Sequence, residues 1–566
     1  MPATHSASPD RPVSLIPQPQ SFTPQPGTFV LNPDTTIVAT TPAVTHLAWL
    51  LHDQLRRGTG LRLDVRIEND TASHIATNAI VLRLEDSNPE VSTSLNSAES
   101  QDAATESYRL RVTENLAELS AAHPAGLARA LATLRQLLPA HTLRNAPTHD
   151  GDVTIGCAEI VDQPRLRWRG FMMDVARHFH PKEFVMRMID IAWLHRFNVL
   201  HLHLTDDQGW RIEIPSRPKL TEVSSWRTET VQSHALTPEG YDGTPHGGYF
   251  TLSDLREIVA FAKERHVSVV PEVNMPGHSR AVLAAYPELG TDEGPLPVLT
   301  TFGTSEEVLE PKPEVIEFFG EVFDTLKDIF VAPYVHIGGD EVPTTQWESS
   351  PLAQQLMRQE GINNARYVQT WFTRQLTEHL SKRGRIAVGW DEVLAGGAPE
   401  DTVVTVWRNA EYVTKAAESG HRVIVATEHY LYLDHYESDQ PEEPLRIHGN
   451  TPLEKLSDYD PVPLGVDPDL ILGTQCQMWS EYLKTGRDVE YSVFPRLCAV
   501  ADVAWSHMDA RKENPILERV ESHLERLDAL GVNYRPLEGP HPWQQGGTGL
   551  KSRRSIDFKA HGADDL

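Results

Sequence analysis

The stretch that decides the fold is "YVHIGGDEVP", residues 334–343. It runs as a buried strand, breaks at two consecutive glycines, and then sets Asp340 beside Glu341. Adjacent carboxylates repel and contribute nothing to folding, so a strand that ends in them ends in a site. Neighbours on a regular strand face opposite sides. Both acids can enter one pocket only where the pleat breaks, and Gly338 and Gly339 permit that break.

The same pattern, an apolar run closing on polar or aromatic residues, recurs in "GFMMDV", "VLHLHLTD", "SVVPEVN", "IAVGWDE", "TVVTVWR", "RVIVATEH" and "LILGTQCQMW". Amphipathic helical runs such as "KEFVMRMIDIAWLHRF" and "LSDLREIVAFAKERH" separate most of them. Eight strand-then-helix units predict an α/β fold, a (β/α)8 TIM-type barrel with enlarged loops. A doubly wound open sheet is the rival, but no glycine-rich phosphate loop follows the first strand. Barrels of this kind carry their sites at the C-terminal strand ends. Asp174 and Arg177, Asp206 and Asp207, Glu272 and His278, Asp340 and Glu341, Trp390 and Asp391, Trp407 and Arg408, Glu428 to Asp434, and Trp479 and Glu481 all fall there.

Upstream, short strand-like runs ("TIVA", "AIVLRL", "SYRLRV") and two helical runs, "AVTHLAWLLHDQLRRGTG" and "GLARALATLRQLL", predict a small α+β domain. The expected organisation is a disordered start over 1–12, an accessory domain over 13–165, the catalytic barrel over 166–535 and a tail over 536–566. The Ser- and Glu-rich stretch near 89–107 reads as an exposed loop.

At 566 residues, 40% hydrophobic and 23% charged, the chain has the composition of a multidomain globular protein. A net charge of -28 argues against nucleic acid and anionic membrane as partners, since both would repel it. Oligomeric state is left open, with a homo-oligomer allowed. The three cysteines are widely spaced and offer neither a disulfide framework nor a metal motif. With no signal-like apolar run at the start, the expected location is the cytoplasm.

Tryptophans at three strand ends, Trp390, Trp407 and Trp479, suggest a ring-lined pocket. Aromatic faces beside carboxylates and an arginine suit a sugar, whose CH-rich face needs apolar contact and whose hydroxyls need charged partners. Arg177 also reads as an ion-pair partner of Asp174 or Asp206. In "HLHLTDD", His201 and His203 share one face of a strand, as a metal-ligand pair would. The favoured reading is a packed, hydrogen-bonded pair with no metal and no cofactor. Adjacent acids cannot easily straddle a sugar ring at the ~5 Å separation of an ordinary retaining pair. They better suit one acid/base and one group orienting a nucleophile that the substrate brings.

"RGFMMDVARHFHP", "HLHLTDDQGWRIEI", "PEVNMPGHSRAVLAAYPEL", "HIGGDEV", "GWDEV", "YLDHY" and "QMWSEY" together resemble glycoside hydrolase family 20, the β-N-acetylhexosaminidases. The motifs recur in order from Arg169 to Tyr482, and the upstream segment is similar to that family's accessory domain. The resemblance implies exo-hydrolysis of terminal N-acetylglucosamine or N-acetylgalactosamine from an oligosaccharide or glycoconjugate, by a substrate-assisted retaining mechanism through an oxazolinium. It implies Glu341 as acid/base, Asp340 on the acetamido N–H and Tyr432 on the acetamido oxygen. Trp390, Trp407 and Trp479 would enclose the methyl group, Arg177, Asp434 and Glu481 would hold the outer hydroxyls, and Asp206 and His278 would orient the acid. Disaccharide release of the lacto-N-biosidase type and a non-catalytic carbohydrate-binding barrel are the alternatives. Members often carry a tryptophan where Glu437 to Thr474 has none, and the Ser216–Gly248 insert is long enough to cover the pocket.

Overall fold

A computed structural model describes residues 14–68, 77–85, 103–291 and 294–545. The chain divides into two compact units. The larger contains a closed barrel of eight parallel strands in chain order, Trp168–Asp174, Val199–His203, Ser268–Glu272, Tyr334–His336, Ile386–Trp390, Val403–Val406, Val423–Val425 and Ile471–Met478. The last pairs with the first through Gly473↔Trp168 to Met478↔Met173, which closes the ring. Seven of the strands lie within runs read from the sequence, and the first, Trp168–Asp174, begins two residues before "GFMMDV". Strands buried on both faces tend to read as continuous apolar segments, as Val403–Val406 and Val423–Val425 nearly do. In contrast, His201 and His203 interrupt Val199–His203, and Thr474, Gln475 and Gln477 interrupt Ile471–Met478.

The N-terminal end of the barrel is apolar. Trp168, Val199, Val270, Tyr334, Val388, Val403, Ile424 and Leu472 fill it, with the Trp168 and Tyr334 rings edge-on at 5.3 Å. Helices cover the strands outside. A capping box at Thr251 and Asp254 starts the Leu252–Glu264 helix, and Lys182–Leu194 and Val368–Ser381 bury the apolar stripes expected of them. Enlarged loops lie over the other end. In the Ser216–Gly248 insert, Trp226–Arg227 pairs with His246–Gly247 and Val231–Gln232 with Gly240–Tyr241.

The other unit holds a seven-stranded mixed sheet ordered Ser21–Leu31, Val153–Asp162, Tyr108–Val112, Leu116–Ala121, Ala79–Leu84, Thr36–Ala39 and Asp64–Ile67. Helices Thr45–Thr59 and Pro124–Leu137 accompany it. The first stops at Gly60, whose φ of 77° provides the left-handed cap. The second opens at Pro124, two residues before the Gly126 start read from sequence.

One boundary differs from the expected 166–535. Trp505–Gly531 groups with the first unit. The reason is polar as well as apolar: the Trp505 indole donates to buried Asp162 at 3.0 Å, and Arg526 donates to the Gln136 carbonyl at 2.8 Å. Most of the 89–107 loop, the 1–12 segment and the tail beyond 545 lie outside the described residues; within them, Ala103–Glu106 forms a 3-10 turn. No helix among the described residues is long and apolar enough to cross a membrane.

Candidate active site

Gly338 and Gly339 adopt φ values of 72° and 100° after the fourth barrel strand. At Gly338 a Cβ would sit 1.8 Å from Asn274 Oδ1, so no other residue fits there. Asn274 fixes the turn: its Oδ1 accepts from Gly339 N at 3.0 Å and its Nδ2 donates to Asp340 Oδ1 at 2.8 Å. The backbone then turns left-handed again at Glu341, φ 49°. Asp340 is therefore held inward and buried, while the Glu341 side chain is 48% exposed.

His278 bridges the two acids. Its Nε2 lies 3.5 Å from both Asp340 Oδ2 and Glu341 Oε2, and its Nδ1 faces Asp206 at 3.1 Å and Asp207 at 3.2 Å. Burial opposes charge on this imidazole, but Asp206 and Asp340 outweigh it and hold the ring well above the ordinary histidine range. Burial pushes Asp340 up to about 6, helped by Glu272 and Glu341 and opposed by His278. Burial also raises Glu341, yet the His278 contact and the Thr304 hydroxyl, donating at 2.8 Å, bring it below the usual glutamate value.

Trp390, Trp407, Trp479 and Tyr432 pack with Met172 into one buried aromatic cluster. Trp390 and Trp479 rings lie 5.8 Å apart, and Tyr432 stacks toward Trp407 at 6.5 Å. Indole donors are committed: Trp390 to Glu272 at 2.8 Å, and Trp407 to Glu392 at 3.1 Å. Burial first, then the carboxylates of Glu428, Asp434 and Asp340, keep the Tyr432 phenol protonated and able to donate.

Arg177 does pair with both acids named from sequence, Asp174 at 3.2 Å and Asp206 at 2.9 Å, and it also faces Glu481 at 3.7 Å. Its guanidinium lies 4.9 Å from the Trp479 ring centre. Asp434 and Glu481 are buried and interact; burial and mutual repulsion raise Asp434 well above the carboxylate range, and burial raises Glu481. The Oδ1 of Asp434 has no hydrogen-bond partner, the state expected of a group that awaits a hydroxyl.

His201 and His203 lie beneath the pocket in a buried network. His203 contacts Glu272 at 2.6 Å and Asp206 at 3.0 Å, and these carboxylates overcome burial to raise it to about 10. His201 lies 2.9 Å from Glu272 and stacks on His336 at 4.6 Å. His201, Glu272 and His336 could together accept an ion. However, the one carboxylate among them already faces cationic His203 and accepts from the Trp390 indole, so Glu272 is committed within the protein's own network.

Sequence reading missed Asn274, Thr304, Gln208 and Glu392. Gln208 accepts from Arg177 Nε at 3.2 Å and ties the site to the Thr301 carbonyl at 3.1 Å. Glu392 follows Trp390 and Asp391 in "GWDEV", and that motif was the available signal for it. Thr304 arrives from a distant loop, where nothing in the local sequence marks it.

The family model of the glycosyl hydrolase family 20 catalytic domain matches residues 166–508, and that of the family's domain 2 matches 13–163. The chain belongs to glycosyl hydrolase family 20. It is 34% identical to a beta-hexosaminidase of Porphyromonas gingivalis, over 95% of this chain and 66% of that protein, so it spans about two thirds of that relative. A beta-N-acetylhexosaminidase of Cellulomonas fimi is 32% identical over 92% of this chain and 96% of its own length. The solved family 20 β-N-acetylhexosaminidase of Streptomyces coelicolor superposes with a TM-score of 0.78 at 29% identity, covering 94% of this chain and 99% of that one. This family 20 chain is accordingly a glycosidase with a TIM-barrel catalytic domain and a preceding domain 2.

Proposed function

We infer that the chain is an exo-acting β-N-acetylhexosaminidase, removing terminal β-linked N-acetylglucosamine or N-acetylgalactosamine by substrate-assisted retention. One observation carries the reading: two adjacent acids are driven apart by the backbone, Asp340 inward beside the aromatic cluster and Glu341 outward to the opening. That separation suits two different tasks. Asp340 accepts the acetamido N–H and offsets positive charge as the acetamido oxygen attacks C1. Tyr432 donates to that oxygen and the three indoles enclose the methyl group. Glu341 protonates the departing oxygen, then takes a proton from water. Arg177, Asp434 and Glu481 hold the outer hydroxyls.

The free site favours a charged Glu341, whereas the first step needs it protonated. Substrate supplies the correction: the sugar displaces water from the half-exposed carboxyl, and the acetamido N–H stabilises charge on its neighbour Asp340. Both effects raise Glu341. Three buried, unpaired cysteines support a reducing compartment such as the cytoplasm.

A panel of aryl β-glycosides with and without the 2-acetamido group tests the proposal. Turnover confined to the acetamido sugars supports it. Comparable turnover of the glucoside, or a 2-fluoro sugar trapped as an ester on a carboxylate, would replace it with a two-carboxylate mechanism.

A further inference from the structure

Glu428, His435 and His448 meet beside the Tyr432 segment, and the mechanism above uses none of them. Glu428 opens the short Glu428–Leu431 helix, His435 follows Asp434, and His448 lies on the next loop. Their potential ligand atoms all lie within 4.8 Å of one another. His448 Nε2 is 2.8 Å from Glu428 Oε1, and His435 Nε2 is 3.6 Å from the same oxygen. Ligand atoms around a tetrahedral zinc sit about 3.3 Å apart, so these spacings bracket what such an ion requires.

The hydrogen bond between Glu428 and His448 has an ordinary structural reading, but it leaves His435 unexplained. The His435 side chain is 2% exposed, its Nε2 points at a carboxylate oxygen, and that nitrogen has no hydrogen-bond partner. Its Nδ1 lies 3.3 Å from the Thr451 hydroxyl, which can hold the tautomer that leaves Nε2 bare. A bare nitrogen facing a carboxylate is repulsive unless something positive lies between them. The loop is also built to approach this ring: Gly449 has φ 70°, and a Cβ on it would sit 2.3 Å from His435 Nδ1.

We propose that Glu428, His435 and His448 bind a divalent cation of the zinc class, with water as a fourth ligand. Two imidazoles and one carboxylate form a donor set that suits zinc better than calcium or magnesium, which prefer all-oxygen shells. The ion staples the helix start to the His448 loop and braces the Tyr432–Asp434 segment between them. Its role is structural, so hydrolysis proceeds without it. His448 is the entry side, its side chain being 13% exposed while those of Glu428 and His435 are nearly sealed.

The test uses the full chain, stripped with EDTA and desalted. Zinc chloride is titrated against a chromogenic chelator, and cobalt is added separately to read its visible spectrum. The expected result is one tight equivalent of zinc, the intense absorption of four-coordinate cobalt, and a melting temperature raised by a few degrees. His448→Ala should weaken zinc binding at least ~100-fold and abolish both the cobalt band and the thermal shift, while retaining hydrolysis as proof of folding. His201→Ala, at the other histidine cluster, should leave the zinc stoichiometry unchanged. Absence of a zinc equivalent in the wild type would overturn the proposal. So would equal binding by His448→Ala, or loss on His201→Ala instead.

Discussion

The two ends of the barrel are built from the same eight strands and could hardly differ more. At the N-terminal end Trp168, Val199, Val270 and Tyr334 pack as an oily plug, with few polar atoms to satisfy. At the C-terminal end Asp174, Arg177, His203, Asp206, Glu272 and His278 are nearly as buried, and nearly every one is charged. A few residues along each strand separate the two regimes. Burying a charge is costly unless partners compensate it, so a paired ionic layer is a poorer source of net stability than the apolar plug and calls for another reason. The plug holds the ring shut, and the ionic layer fixes the angles of the groups that meet the sugar.

The comparison breaks first, if it breaks, at the acids. Asp340→Asn and Glu341→Gln should each lower kcat on natural oligosaccharides by ~100-fold to 10,000-fold while leaving the melting temperature within a few degrees. Steady-state kinetics with calorimetry checks this, and a small kinetic loss would remove the upper end's claim to be catalytic. Trp168→Ala is the converse experiment. Deleting that indole from the plug should cost about 3–5 kcal/mol in denaturant unfolding and leave KM for the folded fraction unchanged.

A smaller effect appears in pH dependence. Asp340 must be ionised to serve the acetamide, and burial places it at about 6, so kcat/KM should fall about tenfold per pH unit below that point. The Asn variant should lack this limb. His203 titrates in the other direction for stability. Its value rises from 6.5 unfolded to about 10 folded, so its contribution is complete below 6.5 and disappears as pH climbs through 10. Urea melts at pH 6 and pH 10 should show the decline, and His203→Gln should flatten it. The smallest expected change is Thr304→Ala, which removes one hydrogen bond to a half-exposed carboxylate. It should cost ~1 kcal/mol, a loss of about fivefold in kcat/KM, with the alkaline limb moved upward.

The plug and the ionic layer were not equally legible. All eight strands could be read because parallel strands buried on both faces leave largely apolar runs, and each ends in conspicuous chemistry such as "GGDE" or "GWDE". The smaller domain was harder. Ser21–Leu31 carries Pro24 and Pro26 within an edge strand, and Val153–Asp162 gave no distinct strand signal. Helix Ile516–Ala529 could not be assigned to the first unit, because a helix's amphipathic stripe does not reveal its partner. Within the site, Thr304 and Asn274 act through contacts across many residues of chain, a relation no local pattern encodes. Trp407 could be named as an aromatic wall, yet its indole bond to Glu392 depends on a rotamer that only packing decides.

The left-handed backbone at Glu341 has a consequence for protein engineering. A glutamate at φ 49° is strained by roughly 1–2 kcal/mol relative to glycine, which adopts that region freely. A search for thermostable variants guided by melting temperature alone would therefore be drawn to Glu341→Gly, and would enrich a sturdier barrel from which the proposed proton donor has been removed. Any such campaign needs turnover as a second selection at this position.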